Sequence, residues 1–348
     1  MRYRLFGPSG MRVSEICLGT MSFGDVWGFG ADEKESHRIL DTFAEEGGNF
    51  VDTANKYHEG QTEEILGRYL ATSRDHWVVG TKYSLAMRSG DPNAAGNSRK
   101  NLRQSVEASL RRLGTDYLDI LWVHAWDHTC AVDEVLRALD DLVHAGTVLA
   151  TGFSDGPAWV VAQANAAASV RGWTGFSGLQ FPCSLLDRTA EPEVITYADT
   201  ERLPFLAWAP TAAGVLTGKY TRPGGGESLR RTANEEQLTD HNLAIARVVD
   251  EVADELGVAS SQVALAWLRQ RHAGLIPIIG ARTVEQIEET LGCTDVTLPA
   301  EHQERLTEAS DITYPSPYSL LRSSNGQALY GNLEPLIDLP STAPLRWA

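Results

Sequence analysis

Short apolar runs alternate along most of this chain with longer segments whose apolar residues return at one-turn helical spacing. The runs cover residues 16–19, 49–52, 77–82, 117–124, 148–154, 178–181, 204–208 and 275–279. They are apolar without strict alternation, which predicts eight strands buried on both faces. Between them Ile39, Leu40 and Phe43 share one helical face, as do Leu102, Val106 and Leu110, and again Val132, Val135, Leu136, Leu139 and Val143. Each such segment can bury one stripe against a sheet. Gly47-Gly48, Gly114 and Gly146 mark helix ends, where glycine supplies the left-handed residue that stops the helix.

Strands buried on both sides, each followed by a helix, require a parallel sheet with right-handed crossovers, and eight such units close into a (β/α)8 TIM barrel. A doubly wound open sheet would instead show a GxGxxG turn after the first strand. That strand runs into Leu18-Gly19-Thr20-Met21-Ser22-Phe23-Gly24, which lacks the spacing. The expected architecture is an α/β barrel in one domain over about residues 14–295, with a short hairpin before it around Pro8-Ser9-Gly10 and a C-terminal helix and extended tail over 296–348. A Gly-rich excursion after the seventh strand, residues 210–239, and the tail after Thr313 stand outside the repeat. Long loops of this kind usually cover an active site.

Composition narrows the partners. Lys plus Arg number 30 against 46 Asp plus Glu, for a net charge of -16 over 348 residues. So acidic a surface repels nucleic acid and anionic lipid, and an anionic ligand then needs a local basic site. No apolar run approaches a membrane span and the N-terminus lacks a signal-peptide core, so the expected location is cytoplasmic with no membrane partner. Cys17, Cys130, Cys183 and Cys293 lie far apart with no CxxC pair, and read as packing residues rather than disulfides or a zinc knuckle.

In a barrel the chemistry sits at the carboxyl ends of the strands. The second run ends at Asp52 and leads to Tyr57, the third ends at Lys82, and the fourth at His124. Singly, a strand-end Lys or Asp is most often solvated or salt-bridged, a lone His structural, and a loop Tyr an anchor. Four such groups from three adjacent strands converge on one mouth, and coincidence is a poor account of that. A phenol, with an ordinary pKa of about 10, is a weak acid. A neighbouring ammonium favours the phenolate, and a carboxylate keeps that ammonium charged and oriented. His124 then orients a carbonyl oxygen or helps relay the proton.

Asp52-Thr53-Ala54 with Tyr57, Gly80-Thr81-Lys82 and Val123-His124 resemble the catalytic tetrad of the aldo-keto reductases. Residues 105–117 (SVEASLRRLGTDY) are similar to the family's helix before the fourth strand, and Gly152-Phe153-Ser154-Asp155 with residues 214–220 (GVLTGKY) resemble its aryl-alcohol dehydrogenase-like branch. The resemblance implies an NADPH-dependent oxidoreductase that reduces an aldehyde or ketone, or runs the reverse oxidation, with Tyr57 as general acid. It also implies that Ser154, Asp155 and Gln180 hold the nicotinamide carboxamide and that the ring stacks on Trp208. Thr20 and Met21 then lie near the ribose and nicotinamide, and Leu216, Thr217 and Lys219 fold over the pyrophosphate. At the eighth strand Gly280-Ala281-Arg282-Thr283-Val284-Glu285-Gln286 enters a helix, where Thr283 and Gln286 have capping-box spacing and the free N–H groups also suit an anion. By the resemblance Arg282 meets the adenosine 2'-phosphate and Gln286 and Glu289 the adenine side, which favours NADPH over NADH. Asp155 stands where Asn is commoner, Thr290 where an adenine-binding Asn is frequent, and His58 where Gly is common.

Trp27, Phe29, His58, Tyr83, Trp126 and the tail after Thr313 are the expected pocket walls for a small carbonyl or alcohol substrate. Their aromatic bias suits an aryl or bulky planar carbonyl, although loop aromatics also pack on one another. Two other functions fit parts of the sequence. A redox-sensing or regulatory subunit that binds NADPH with little turnover would keep the cofactor residues, but the intact tetrad argues against it. His124, Asp127 and His128 suggest a metal-dependent hydrolase; His124 ends a strand, however, and the other two follow in a loop, so they do not share a helix face. No metal is expected.

Overall fold

A computed structural model describes residues 1–222, 236–323 and 329–338. β1 (Tyr3–Leu5) pairs antiparallel with β2 (Arg12–Ser14) across a 3-10 turn at Gly7–Ser9, the expected hairpin. The eight apolar runs become β3 (Cys17–Gly19), β4 (Phe50–Asp52), β5 (Val78–Tyr83), β6 (Leu118–Val123), β7 (Val148–Ser154), β8 (Phe176–Pro182), β9 (Phe205–Trp208) and β10 (Leu275–Ile279). Neighbouring strands are parallel, and β10 returns to pair with β3, which closes the barrel.

Helices α1 (Glu33–Glu45), α2 (Gln61–Leu70), α3 (Arg99–Leu113), α4 (Val132–His144), α5 (Ala158–Arg171), α6 (Thr196–Glu201), α7 (Asp240–Leu256), α8 (Ser260–Arg271) and α9 (Val284–Leu291) surround the strands. The apolar stripes read from the sequence are the ones that face the sheet: Ile39, Leu40 and Phe43 are fully buried on α1, as is Leu139 on α4. Gly114 ends α3 at φ 64°, the left-handed stop that its position predicts.

Inside the barrel, alternate strand residues point inward, so Phe50, Val78, Ile120, Trp122, Ala150, Leu206 and Ile276 form an inner core. Phe6, from the hairpin, plugs its lower end, edge-on to Phe50 and Trp122 at 6.0 and 5.9 Å between ring centroids. Trp122 fills the centre. A Cβ at Gly152 would lie 2.2 Å from the Trp122 ring, and one at Gly80 2.6 Å from its indole nitrogen, so these two strand glycines exist to admit the indole.

α10 (Ala300–Ala309) and α11 (Tyr318–Ser323) follow the barrel. The start of the tail is pinned by buried polar contacts. Arg188 pairs with Glu191 at 2.8 Å and donates to the Thr307 and Ser310 carbonyls, while Glu191 also receives Arg271 at 3.2 Å and the Tyr314 hydroxyl at 2.8 Å. Residues 223–235 of the Gly-rich excursion, and 324–328 and 339–348 of the tail, lie outside the described residues. The expectation that these segments cover the mouth falls partly on them.

Candidate active site

The pleat decides which side chains meet. Asp52 is opposite Gly80 in the β4–β5 ladder, and Lys82 opposite Trp122 in the β5–β6 ladder, so Asp52 and Lys82 share the inward face with Trp122. Lys82 Nζ donates to Asp52 Oδ2, to the Thr53 carbonyl at 2.9 Å and to Tyr57 Oη at 3.1 Å. An ammonium has three N–H donors, and all three are used. The second Asp52 oxygen accepts from Gln180 Nε2 at 2.9 Å. His124 follows β6, with its ring edge-on to Tyr57 at 6.1 Å between centroids. The four groups read from strand ends therefore form one cluster.

Burial sets their charges. It works against the Lys82 ammonium, but Asp52 and Tyr57 hold that group above the ordinary lysine range. Burial also raises the Tyr57 phenol above its ordinary value, by more than Lys82 pulls it down. The sequence anticipated the pull of the ammonium and missed this larger opposing effect. For His124, burial and then the nearby Lys82 charge depress the imidazole to about 3, so it is neutral near pH 7, and its Nδ1 is buried with no hydrogen-bond partner among the described residues.

Around this cluster the other candidates fall into three sets. Ser154 is buried opposite Gln180 in the β7–β8 ladder, and Asp155 follows it at φ 26° with its carboxylate accepting the Trp208 indole N–H at 3.1 Å. Burial raises the Asp155 pKa against that hydrogen bond. Trp208, 37% exposed, and Met21, 39% exposed, present surface at this end of the barrel. Thr20 is buried, its hydroxyl donating to the Asp52 carbonyl at 3.0 Å.

The second set lies beyond β9 and β10. Thr217 donates to the Gly214 carbonyl at 2.9 Å, and Lys219 reaches the Ala213 carbonyl at 3.4 Å. Thr283 caps α9 by accepting Gln286 N–H at 3.3 Å, while the Gln286 side chain accepts Arg282 N–H at 2.9 Å rather than closing the box on Thr283. Glu289 accepts from Ser261 at 2.7 Å, and Gly280 is exposed.

The third set comprises the pocket walls, and two sequence expectations are corrected. β5 runs one residue past Lys82, which turns Tyr83 outward into the helix-facing core, 1% exposed, so it cannot line the mouth. His58 is fully buried with both ring nitrogens engaged, and acts beneath a wall rather than as one. Leu216, from the segment after β9, has its side chain fully buried in the core, which leaves its backbone to face a ligand. Trp27 and Phe29 are half-buried, 6.1 Å apart between centroids, with Trp27 edge-on to Tyr57. Trp126 is nearly buried against Phe153.

The Asp127 carboxylate is occupied by Asn97 and Thr129 N–H groups at 2.9 Å each. Among the described residues no group of three or more His, Cys, Asp or Glu is placed to hold a metal ion, and no helix is long and apolar enough to cross a membrane. Sequence reasoning missed the Thr53 carbonyl as a lysine acceptor and the roles of Glu59, Gln61 and Thr62, whose only signal is the polar run that follows Tyr57.

Residues 15–311 match the model of the Aldo/keto reductase family. The chain is 38% identical to a norsolorinic acid reductase of Emericella nidulans over 93% of its own length and 86% of that protein. It is 35% identical to an aryl-alcohol dehydrogenase [NADP(+)] of Phanerodontia chrysosporium, over 92% of this chain and 88% of the other. It is 34% identical to an aldo-keto reductase of Aspergillus calidoustus, over 92% and 85%. The closed eight-stranded barrel with its inward-facing cluster and these matches together establish that the chain belongs to the aldo/keto reductase family, in its aryl-alcohol dehydrogenase-like branch, as an oxidoreductase of carbonyl and alcohol groups.

Proposed function

We propose that the protein reduces an aldehyde or ketone with NADPH, or oxidises the corresponding alcohol with NADP+, and that Tyr57 exchanges the proton with the substrate oxygen. The observation that carries this is the saturated Lys82 ammonium: it donates to Tyr57 Oη at 3.1 Å, so the phenol oxygen accepts there and its own proton must point elsewhere. A bound reduced nicotinamide supplies the hydride. The residues present fit such a cofactor. Trp208 offers a partly exposed indole whose N–H is held by Asp155, Ser154 and Gln180 lie beside it on adjacent strands, and the Arg282 guanidinium has no hydrogen-bond or ion-pair partner among the described residues. An unpaired guanidinium at a helix start suits a phosphate, which favours NADPH over NADH.

Near pH 7 the phenol is protonated, because burial raises its pKa, and so it is ready to donate. Once it donates, the phenolate is stabilised by the adjacent ammonium, which Asp52 keeps charged. His124, neutral, partly exposed and edge-on to Tyr57, orients the oxygen through a hydrogen bond without competing for the proton.

Tyr57→Phe tests the assignment. It should bind NADPH with unchanged affinity by fluorescence titration and lose about 100-fold or more in turnover with an aromatic aldehyde. Turnover equal to that of the parent protein would remove Tyr57 from the role. Arg282→Ala should raise the NADPH KM about tenfold or more and leave that for NADH nearly unmoved.

A further inference from the structure

Immediately after Tyr57, His58 (φ 47°), Glu59 (φ 57°) and Gly60 (φ 99°) adopt left-handed backbone in succession, which residues with a side chain rarely do. Such backbone persists only where its surroundings over-determine it. Here it brings a row of side chains onto the loop between β3 and α1. Trp27 N–H donates to His58 Nδ1 at 3.3 Å, and His58 Nε2 meets the Met21 carbonyl at 3.1 Å, which requires the proton on Nε2. Glu59 accepts the Trp27 indole N–H at 3.3 Å and the Lys56 ammonium at 2.9 Å. Gln61 accepts Asp25 N–H at 2.9 Å, and Thr62 donates to the Phe23 carbonyl at 2.7 Å.

Trp27 is thus fixed at both its backbone and its indole nitrogen. Its ring lies on the His58 ring (4.6 Å, 24°) and stands edge-on to the Tyr57 ring (6.3 Å, 77°). Being half-buried, it keeps part of its surface open beside the phenol.

We propose that His58 and Glu59 are positioning residues that lock Trp27 as a rigid wall beside Tyr57, and that this wall selects planar aryl carbonyls over flexible aliphatic ones. The inference rests on the carbonyl-reductase reading above. A ring already held in place stacks on a flat substrate without the entropy cost of ordering the side chain first, whereas a flexible chain must still order itself.

The test uses the full chain. kcat and KM are measured with NADPH for a substituted benzaldehyde and a straight-chain aldehyde of equal carbon number, and Kd for each aldehyde is measured by calorimetry on the protein saturated with NADP+, where reduction cannot proceed. In Trp27→Ala the aryl-to-aliphatic ratio of kcat/KM should fall about tenfold, carried by the aryl KM. Glu59→Ala and His58→Ala should lower it in the same way, about threefold or more, while Glu59→Gln, which keeps an acceptor for the indole, stays near the parent value. A merely structural role would weaken both aldehydes together and leave the ratio unmoved, and that result overturns the proposal. Should His58→Ala fail to fold, the exposed Glu59 pair still decides. If the parent protein turns over neither aldehyde, the carbonyl-reductase reading falls. The wall is then judged by Kd alone: an aryl preference lost in Glu59→Ala supports it, and one unchanged there refutes it.

Discussion

Replacing Asp52 by Asn changes one atom type at the most constrained point of the barrel. The carboxylate now serves two donors, Lys82 Nζ on one oxygen and Gln180 Nε2 on the other. An amide has a single acceptor oxygen, so in either orientation one donor faces an NH2 group. If Lys82 stays charged, it is a 1% exposed ammonium that has lost its counter-charge, and breaking such a pair costs about 3–5 kcal/mol. If it instead sheds its proton at pH 7, a group with an ordinary pKa of about 10.4 gives up about 4–5 kcal/mol. The two routes agree, and the predicted loss is about 3–5 kcal/mol, or about 4–7 °C in Tm for a chain of this size. The pH dependence has a definite sign. In the parent protein Lys82 is raised above its unfolded value, so its contribution is complete below the unfolded pKa and is lost as pH rises through the folded one. In the variant the unpaired lysine is depressed, and its penalty vanishes as pH rises towards that same unfolded value. The gap between the two proteins should therefore narrow from pH 7 to pH 10. Thermal and urea unfolding across that range, with NADPH oxidation as a parallel assay, measure both effects. A variant within about 1 kcal/mol of the parent at pH 7, with a gap that does not change with pH, would refute the view that Asp52 is what keeps Lys82 charged.

Three further outcomes follow from groups outside that pair. Carbonyl reduction should show no inflection near the ordinary histidine pKa of about 6.5, because His124 is depressed to about 3, and should fall only above about pH 10, because burial moves the Tyr57 phenol up; an inflection near 6.5 that His124→Gln abolishes would contradict this. At Glu191 burial pushes the carboxyl up, but Arg188 and Arg271 outweigh it and hold it at about 2, so its stabilisation is present above the unfolded carboxylate range and is lost as pH falls from about 4.5 towards 2; Glu191→Gln should cost about 3 kcal/mol at pH 7 in urea unfolding and progressively less in acid. Gly152→Ala should destabilise by about 1–3 kcal/mol or more because its Cβ meets the Trp122 ring, and Trp122→Leu in the same chain should recover part of that loss; additive costs would show that the two sites do not touch.

What could be read from the sequence tracks how local each cause is. The eight strands and the cluster of Asp52, Lys82 and His124 are legible because unbroken apolar runs mark strands buried on both faces, and each of these polar residues stands at the end of such a run. Tyr83 was misplaced for the same reason: a strand that runs one residue further reverses the facing of its last side chain, and strand ends carry no pattern of their own. His58 and Leu216 are loop residues whose burial depends on contacts with Trp27, Met21 and the helical layer, distant in sequence. The resemblance marked His58 as a departure but could not show that its ring is fully engaged. The raised phenol is the least local property of all, because it sums burial by every surrounding element against one lysine.

A charged pair inside a barrel needs a physical reason, since desolvating two ions usually offsets their attraction. The reason lies in the layer beneath. Trp122, Phe50 and the Phe6 plug close the barrel below Lys82, and Gly80 and Gly152 on the flanking strands give up their side chains so that the indole can sit there. With that floor in place the pair is almost fully out of solvent, and every polar hydrogen of Lys82 is answered by protein: Asp52, the Thr53 carbonyl and Tyr57. The ammonium is thus satisfied on all three of its N–H groups, and the proton left for transfer is that of the phenol. A hydroxyl proton has only the open direction left to point in, and so the packing of the barrel floor and the chemistry at its mouth are one arrangement. Substitutions that wet the floor, such as Trp122→Ser, should weaken both stability and proton transfer, even though that residue makes no hydrogen bond to Lys82, Asp52 or Tyr57 among the described residues.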